Sequence, residues 1–499
     1  HNGDTMAVLS SDLIRQGASG VSTGYTIDQS IRFNDDDTAY MSRTPSGAGN
    51  RRTWSWSGWI KRGDLSTYSA GRVLLHHGTS GGLQEVIRID SAATNQYLMY
   101  YSDPDGTAYV RTNVTLNDVS AWYHAVFVKD STQVVASERV RIYLNGIRQT
   151  SLQNSTYPSS SSQGYINNTV LHRIGADQNG SSSNYDGYLA EIHFLDGYAY
   201  GPEYFGEFNS SGIWIPKEYE GSYGTNGFYM KGEDSSNLGN DSSGNNNDYS
   251  TNGLAAHDQV LDSPTNNFAV INTNYSTRTT SGAGSTHTVE NGNLFQQADS
   301  YSSSNYGTRP FTVQPLNRGK WYFEFEGNTE AGGGNLVHVV ISEESAFYTA
   351  QGAQSTNRYG LYLESGSAMY VLYPGSSRQE TNAPIAQYTK IIGCAIDFDN
   401  AKMYFFVDGA EIHGQDISEG TAASNLSGWS TSSNWIIQFA TVTASNNSAR
   451  SNIIFNFGQE GTFAGTQSAG GNSDGNGIGN FKHSVPSGYL ALCTSNLGS

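Results

Sequence analysis

Apolar and polar residues alternate with a period of two along most of the chain, and no long segment follows the 3.6-residue helical period. In the first half this alternation predicts strands at Ser30–Phe33, 53–62 (TWSWSGWIKR), 72–76, 84–90, 97–102, 122–129, 140–144 and 188–195. Within TWSWSGWIKR it places Trp54 and Trp56 on one face and Trp59 on the other, unless a bulge at Gly58 resets the register. In the second half, strands are predicted at 320–327, 336–342, 359–365, 368–374, twice within 390–409 around a turn at Asp397–Ala401, and at 435–442, 452–458 and 488–493. Asn145-Gly146 and Asp408-Gly409 are two-residue hairpin signals. Strands at this spacing, with no helical period between them, predict an all-β chain of two antiparallel two-sheet sandwiches.

The halves meet at 228–268, where Asn, Ser, Gly and Asp dominate and apolar residues are sparse. GFYM at 227–230 reads as a strand and SPTNNF leads directly into the second sandwich, so an ordered, loop-rich bridge is expected over 216–262, with Asp241–Asp248 an exposed turn. The expected organisation is an N-terminal arm or attachment segment over 1–28, a sandwich over 29–215, the bridge, and a second sandwich over 263–499 with a C-terminal closing strand.

Composition sharpens this picture. Gly 57, Tyr 32 and only 14% charged residues suit strands and turns. Lys+Arg 27 against Asp+Glu 45 gives a net charge of −18, with the basic residues scattered singly, so nucleic acid is not an expected partner. No apolar run approaches the roughly 18 residues of a membrane span, and no membrane insertion is expected. MAVLSSDLIRQ lacks a basic start and a long apolar run, so no signal peptide is expected, and His1–Thr5 are expected to be left over from expression or processing. Cys394 and Cys493 each lie in an apolar run and are expected as buried free thiols, with a disulfide between them as the alternative.

The order SIRFNDDDTAYMSR, WSWSGWIKR, WYHAVFVKD, RIYLNG and DGYLAEIHFLD, over about 30–215, resembles a laminin-G-like member of the concanavalin A-like lectin/glucanase superfamily. GKWYFEFE, IGCAIDFDNAKMYFFVDG and NIIFNFG resemble a SPRY domain, another concanavalin A-like sandwich. These resemblances imply two sandwiches of jelly-roll type. DSPTNNFAVIN at 262–272 and the ending VPSGYLALCTSNL look like segments that flank such domains in bacteriophage structural proteins, particularly tail-fibre-like proteins of marine phages. That resemblance implies a virion protein made in the bacterial cytoplasm, in contact with other virion proteins and expected as a homotrimer. It also implies recognition of a host surface glycan or protein. The alternatives are an architectural capsid or tail decoration protein and a glycan hydrolase.

The superfamily includes glucanases, which need an acid/base carboxylate pair. The nearest candidates, Glu191 and Asp196 in AEIHFLD, are an odd step apart with His193 between them, so a regular strand turns them to opposite faces. No catalytic residue is assigned and the chain is read as no enzyme. The two GxSxG matches, at Gly78 and Gly471, are not followed by helical patterns and read as turns, and His76-His77 lacks a companion metal ligand. Asp241–Asp248 lacks the glycine and glutamate of an EF-hand loop. The fold resemblance points instead to calcium at the rim loop 177–186, through Asp177, Asn179 and Asp186, although Asn/Asp-rich loops are commonly just turns; no other cofactor is expected. Sugar recognition needs exposed rings, and Tyr157, Tyr185, Tyr198, Tyr200, Tyr348 and Trp429 are the candidates. Such loops equally suit a protein-binding surface.

Overall fold

The computed structural model describes residues 24–497 apart from 64, 66–70, 79–83, 93–94, 104–106, 182, 275–276, 280–286, 299–304, 313–315, 330–335, 344–357, 365–367, 374–376, 381–389, 413, 427–433 and 444–450. Regular structure among the described residues is β-strand with short 3-10 turns, and none of it is α-helix. The chain divides into two compact units, one over 21–266 and one from 267 onward. Each is a sandwich of two mainly antiparallel β-sheets.

In the first unit one sheet runs in the order Ile147–Arg148, Val140–Leu144, Trp122–Asp130, Thr53–Arg62, Gly187–Asp196, Ser30–Phe33, Gln259–Val260. The other runs Leu152–Thr156, Ala108–Thr115, Asn95–Ser102, Gln84–Ala92, Arg72–Gly78, His172–Ile174, Tyr40–Arg43, Ser250–Asn252. Trp54 and Trp56 point between the sheets with Phe127, Tyr100 and Leu98, whereas Trp59 lies on the opposite face with Ile27 and Ala190. The expected alternation therefore holds, and no bulge occurs at Gly58. The register shift lies on the neighbouring strand, between Ala190 and His193. Asn145 and Gly146, at φ 48° and 78°, make the tight hairpin turn that an Asn-Gly pair favours.

The expected bridge over 216–262 is instead part of the first sandwich. Phe228–Met230 pairs with Ile192–Phe194, Ser250–Asn252 with Tyr40–Ser42, and Gln259–Val260 with Ser30–Ile31. Buried ion pairs reinforce these strands: Lys61 Nζ lies 2.5 Å from Asp262 Oδ2, and Arg32 lies 3.2 Å from Asp258. Polar composition concealed this role because the segment contributes only short strands and anchors itself by side-chain hydrogen bonds. The Asp241–Asp248 turn is exposed at Gly244, Asn245, Asn246 and Asp248, as expected, but Asp241 is buried and accepts hydrogen bonds from the backbone N–H of Tyr229, Ser243 and Asn247 at 2.8–2.9 Å.

A second buried pair crosses the core. Glu85 and Lys129, both without exposed side-chain surface, meet at 2.7 Å and join the two sheets. Glu85 also accepts hydrogen bonds from Tyr100 Oη at 2.7 Å and from the N–H of Ile166 at 2.6 Å.

The second unit packs the Thr277–Thr279, Asn305–Pro310, Trp435–Thr443, Leu336–Glu343, Arg358–Glu364, Ala368–Tyr373 and Ser377–Glu380 sheet against one centred on Lys320–Thr329. Between them lie Phe311, Phe323, Phe439 and Phe455, with ring centroids 4.8–6.4 Å apart. Cys394 and Cys493 are buried free thiols. The strand expected at 488–493 is reduced to Leu490–Ala491, which runs parallel to Trp321–Tyr322.

Glu324 fixes this C-terminal stretch. Its carboxylate accepts hydrogen bonds from the N–H of Lys482 and His483 at 2.8 Å, Tyr322 Oη at 3.1 Å and Asn456 Nδ2 at 3.2 Å. Burial outweighs these donors and raises its pKa from 4.5 to about 6. A carboxyl group raised in the folded state contributes stability at acid pH that is lost as pH rises through about 6. In urea unfolding, wild type should therefore gain about 1 kcal/mol relative to Glu324→Gln between pH 7 and pH 5. A difference independent of pH would contradict the assignment.

Candidate functional site

On the face of the first sheet turned away from the core, Glu191 and His193 lie in a cluster of tyrosine rings. Glu191 sits in the register shift with φ 51°, a left-handed conformation uncommon for glutamate. The extra residue puts Leu189 into the core and His193 on the outer face, although they are four positions apart in one strand. Glu191 accepts hydrogen bonds from Tyr25 Oη at 2.6 Å and Tyr229 Oη at 2.5 Å, while His193 stacks on Tyr229 at 4.3 Å and meets Tyr223 Oη at 2.9 Å. Burial opposes the Glu191 charge, but bonds from His193, Tyr229 and Tyr25 prevail and its pKa falls below the ordinary value. A carboxylate enclosed by donors is a structural anchor rather than an acid poised near neutrality. Asp196 lies elsewhere, accepting hydrogen bonds from the N–H of Asn50 and Asn226 and from Asn167 Nδ2. The two carboxylates thus serve separate networks.

Ser57 and His124 on neighbouring strands meet at 2.8 Å and superficially resemble a nucleophile and its base. Trp214 Nε1, which can only donate, points at His124 Nδ1 at 3.1 Å. His124 therefore carries its proton on Nε2 and donates to Ser57 Oγ, the reverse of what nucleophile activation requires. Burial holds this imidazole neutral, with its pKa lowered to about 3.

The residues expected to bind calcium diverge. Asp177 Oδ1 accepts the N–H groups of Asn179 and Gly180 and closes its own turn, whereas Asp186 is buried beside Gly63. These three residues do not fit a calcium ion, and no cluster of three or more His, Cys, Asp or Glu side chains among the described residues could hold a metal.

The expected sugar-binding tyrosines separate similarly. Tyr185 belongs to the core: it is fully buried, edge-on to Phe33, and donates to the carbonyl of Lys61 at 2.9 Å. Its loop position concealed an inward ring. Tyr157 is half-buried against the main core. Tyr198 and Tyr200 are half-buried over Val126, Val128 and Leu195, and Tyr200 stacks face to face on Tyr204 at 4.0 Å. Tyr204, which the sequence did not single out, is the exposed member of this stack. Tyr348 and Trp429 lie outside the described residues.

A different constellation occupies the outer face of the second sheet. Three adjacent strands, Gln84–Ala92, Asn95–Ser102 and Ala108–Thr115, send alternate side chains into the core, including Ile87, Ile89, Leu98, Tyr100 and Val110. The remaining positions therefore face outward, and register aligns Arg88 with Met99 and Arg111, Asp90 with Tyr97, and Tyr101 with Tyr109. Asp90 is the hub, accepting from Arg111 Nη1 at 2.7 Å, Arg88 Nη2 at 3.1 Å and Tyr109 Oη at 3.2 Å. The Arg111 guanidinium lies over the rings of Tyr97 and Tyr109, at 5.5 and 5.7 Å. Tyr101 donates to Asp103, and burial together with that carboxylate raises its phenol to about 12.

The Nε–H groups of Arg88 and Arg111 are buried and find no acceptor among the described residues. The Nε–H groups of Arg141 and Arg173 stand alike, so it is the partly exposed ends of Arg88 and Arg111 that a ligand bringing acceptors would meet. Tyr97 and Asp90 are themselves buried, so what this group offers a ligand is the partly exposed ends of Arg88 and Arg111 and the edges of Tyr101 and Tyr109, which can exchange hydrogen bonds with sugar hydroxyls. Sequence reading missed the Ala108–Thr115 strand that supplies Tyr109 and Arg111. Its signal was the alternation of Ala108, Val110 and Thr112 with Tyr109, Arg111 and Asn113.

Comparisons with known proteins bear on the fold. A search among curated proteins found no match. Among solved structures, the chain is similar to a native heptameric SAP-like pentraxin from Limulus polyphemus, at 16% identity and TM-score 0.26, covering 35% of this chain and 78% of that one. It is also similar to the SPRY domain of human HERC1, at 16% identity and TM-score 0.21, covering 34% of this chain and 97% of that one. Tailspike protein 2 from Escherichia coli O157:H7 bacteriophage CAB120 matches at 15% identity and TM-score 0.21, covering 31% of this chain and 21% of that one. Residues 34–199 match the family model of the concanavalin A-like lectin/glucanases superfamily, which is therefore the domain type of the first sandwich.

Proposed function

We propose that the first sandwich is a non-catalytic glycan-binding module of a phage virion protein of tail-fibre type, and that it recognises the surface glycan of a bacterial host. The observation that carries the reading is the Arg88–Asp90–Arg111 group on the outer face of the second sheet, with partly exposed guanidinium ends beside Tyr101 and Tyr109. The lectin/glucanase family match supports glycan as the ligand class. The virion setting rests on the resemblance of DSPTNNFAVIN and VPSGYLALCTSNL to segments of tail-fibre-like proteins. Several copies on one particle, expected as trimers, convert weak single-site affinity into useful avidity. Incubation of the full chain with a panel of bacterial surface polysaccharides tests this reading. Retention on at least one polysaccharide, with no release of reducing ends, is expected; release of reducing ends would instead establish a hydrolase.

A further inference from the structure

Lys61 and Asp262 are 201 positions apart in the chain, and the fold seats one against the other where neither side chain has exposed surface. Lys61 lies on the outer face of the Thr53–Arg62 strand, aligned with Tyr188 on one side and Trp122 on the other. The Tyr188 ring lies 5.5 Å from Lys61 Nζ, and the rings of Trp122 and Tyr188 are 6.3 Å apart. Trp122 Nε1 donates to Asp262 Oδ1 at 3.0 Å, leaving Oδ2 facing Nζ at 2.5 Å. The Asp262 backbone is itself held, because Ser30 Oγ donates to its carbonyl at 2.6 Å.

We propose that Lys61 and Asp262 form an intramolecular isopeptide bond. Two opposite charges on side chains with no exposed surface gain little from remaining separated, and transfer of a proton from the ammonium to the carboxylate yields an uncharged amine beside a carboxylic acid. Burial lowers the Lys61 pKa against the opposing pull of Asp262, which favours the nucleophilic amine. Nζ then attacks Cγ. The indole N–H of Trp122 is placed to stabilise negative charge developing on Oδ1, as an oxyanion-hole donor does. The Cγ–Oδ2 bond breaks and Oδ2 leaves as water, carrying two of the three ammonium protons while the third remains on the amide nitrogen. No oxidant or other reactant is consumed. The product replaces two buried charges with a neutral amide and joins the central strand of the first sheet to the segment that follows its edge strand.

Glu85–Lys129 provides an internal comparison. It is an equally buried pair in which Lys129 Nζ and Tyr100 Oη share the same oxygen, Oε1, while the Ile166 N–H holds Oε2, so the oxygen that would have to leave is tied to a second side chain. It is expected to remain an ion pair.

Intact-mass measurement of the denatured full chain tests the proposal, because it requires no variant to fold. The expected mass is lower than the sequence mass by one water, about 18 Da, and proteolysis is expected to release a branched peptide containing Lys61 and Asp262. Asp262→Ala should restore the full sequence mass, whether or not that variant folds. An unreduced wild-type mass, or a lost water that maps elsewhere, would overturn the proposal.

Discussion

Replacing Glu85 with alanine is expected to destabilise the first sandwich by roughly 3–5 kcal/mol, because it leaves the Lys129 ammonium buried without its counter-charge. Lys129 reaches Glu85 from the opposite sheet, and neither side chain has exposed surface. Water cannot replace the lost partner without opening the core. Truncation also removes the acceptor of Tyr100 Oη and of the Ile166 N–H, which adds to the penalty. The paired substitution Glu85→Met with Lys129→Met should recover most of the loss, since buried ion pairs exchanged for apolar residues of similar volume are often neutral or better. Urea unfolding of the two single variants and the double variant measures the coupling. Two single losses that simply add in the double variant would show that the ions do not interact as described.

Arg111→Ala is expected to weaken glycan binding by at least about thirtyfold, the effect of losing a central anchor of a binding site. Arg111 fills three roles at once: it braces Asp90 at 2.7 Å, lies over two tyrosine rings and presents a partly exposed guanidinium end. Arg111→Lys keeps the charge but lacks the planar fork, so an intermediate loss is expected. Arg88 still pairs with Asp90 in either variant, so thermal unfolding should move much less than binding does. A variant that unfolds early, or that binds as wild type does, would remove this surface from consideration.

Most of the architecture was legible in alternation alone. The strand at 140–144, its Asn145-Gly146 turn and the opposite-facing tryptophans all appear where the period of two places them. Alternation could not reveal long-range polar anchoring. Asp262 and Asp258 lie in a stretch with linker composition, yet their partners Lys61 and Arg32 draw it into the first sandwich. The expected sites failed for related reasons. Tyr185 is a loop residue by sequence but a core residue by direction, and Asp177 is satisfied within its own turn. The outer-face group was hidden because Arg88, Asp90, Tyr97 and Arg111 are unremarkable in their separate strands; only register brings them together.

The outer face of the second sheet in the first sandwich is the surface proposed to bind host glycan. The most direct test is adsorption of the labelled full chain to bacteria, comparing wild type with Arg111→Ala on intact cells and on cells stripped of surface polysaccharide. Wild type should adsorb to intact cells only, and the variant should lose most of that adsorption. Equal adsorption to stripped cells, or full adsorption by the variant, would contradict the account.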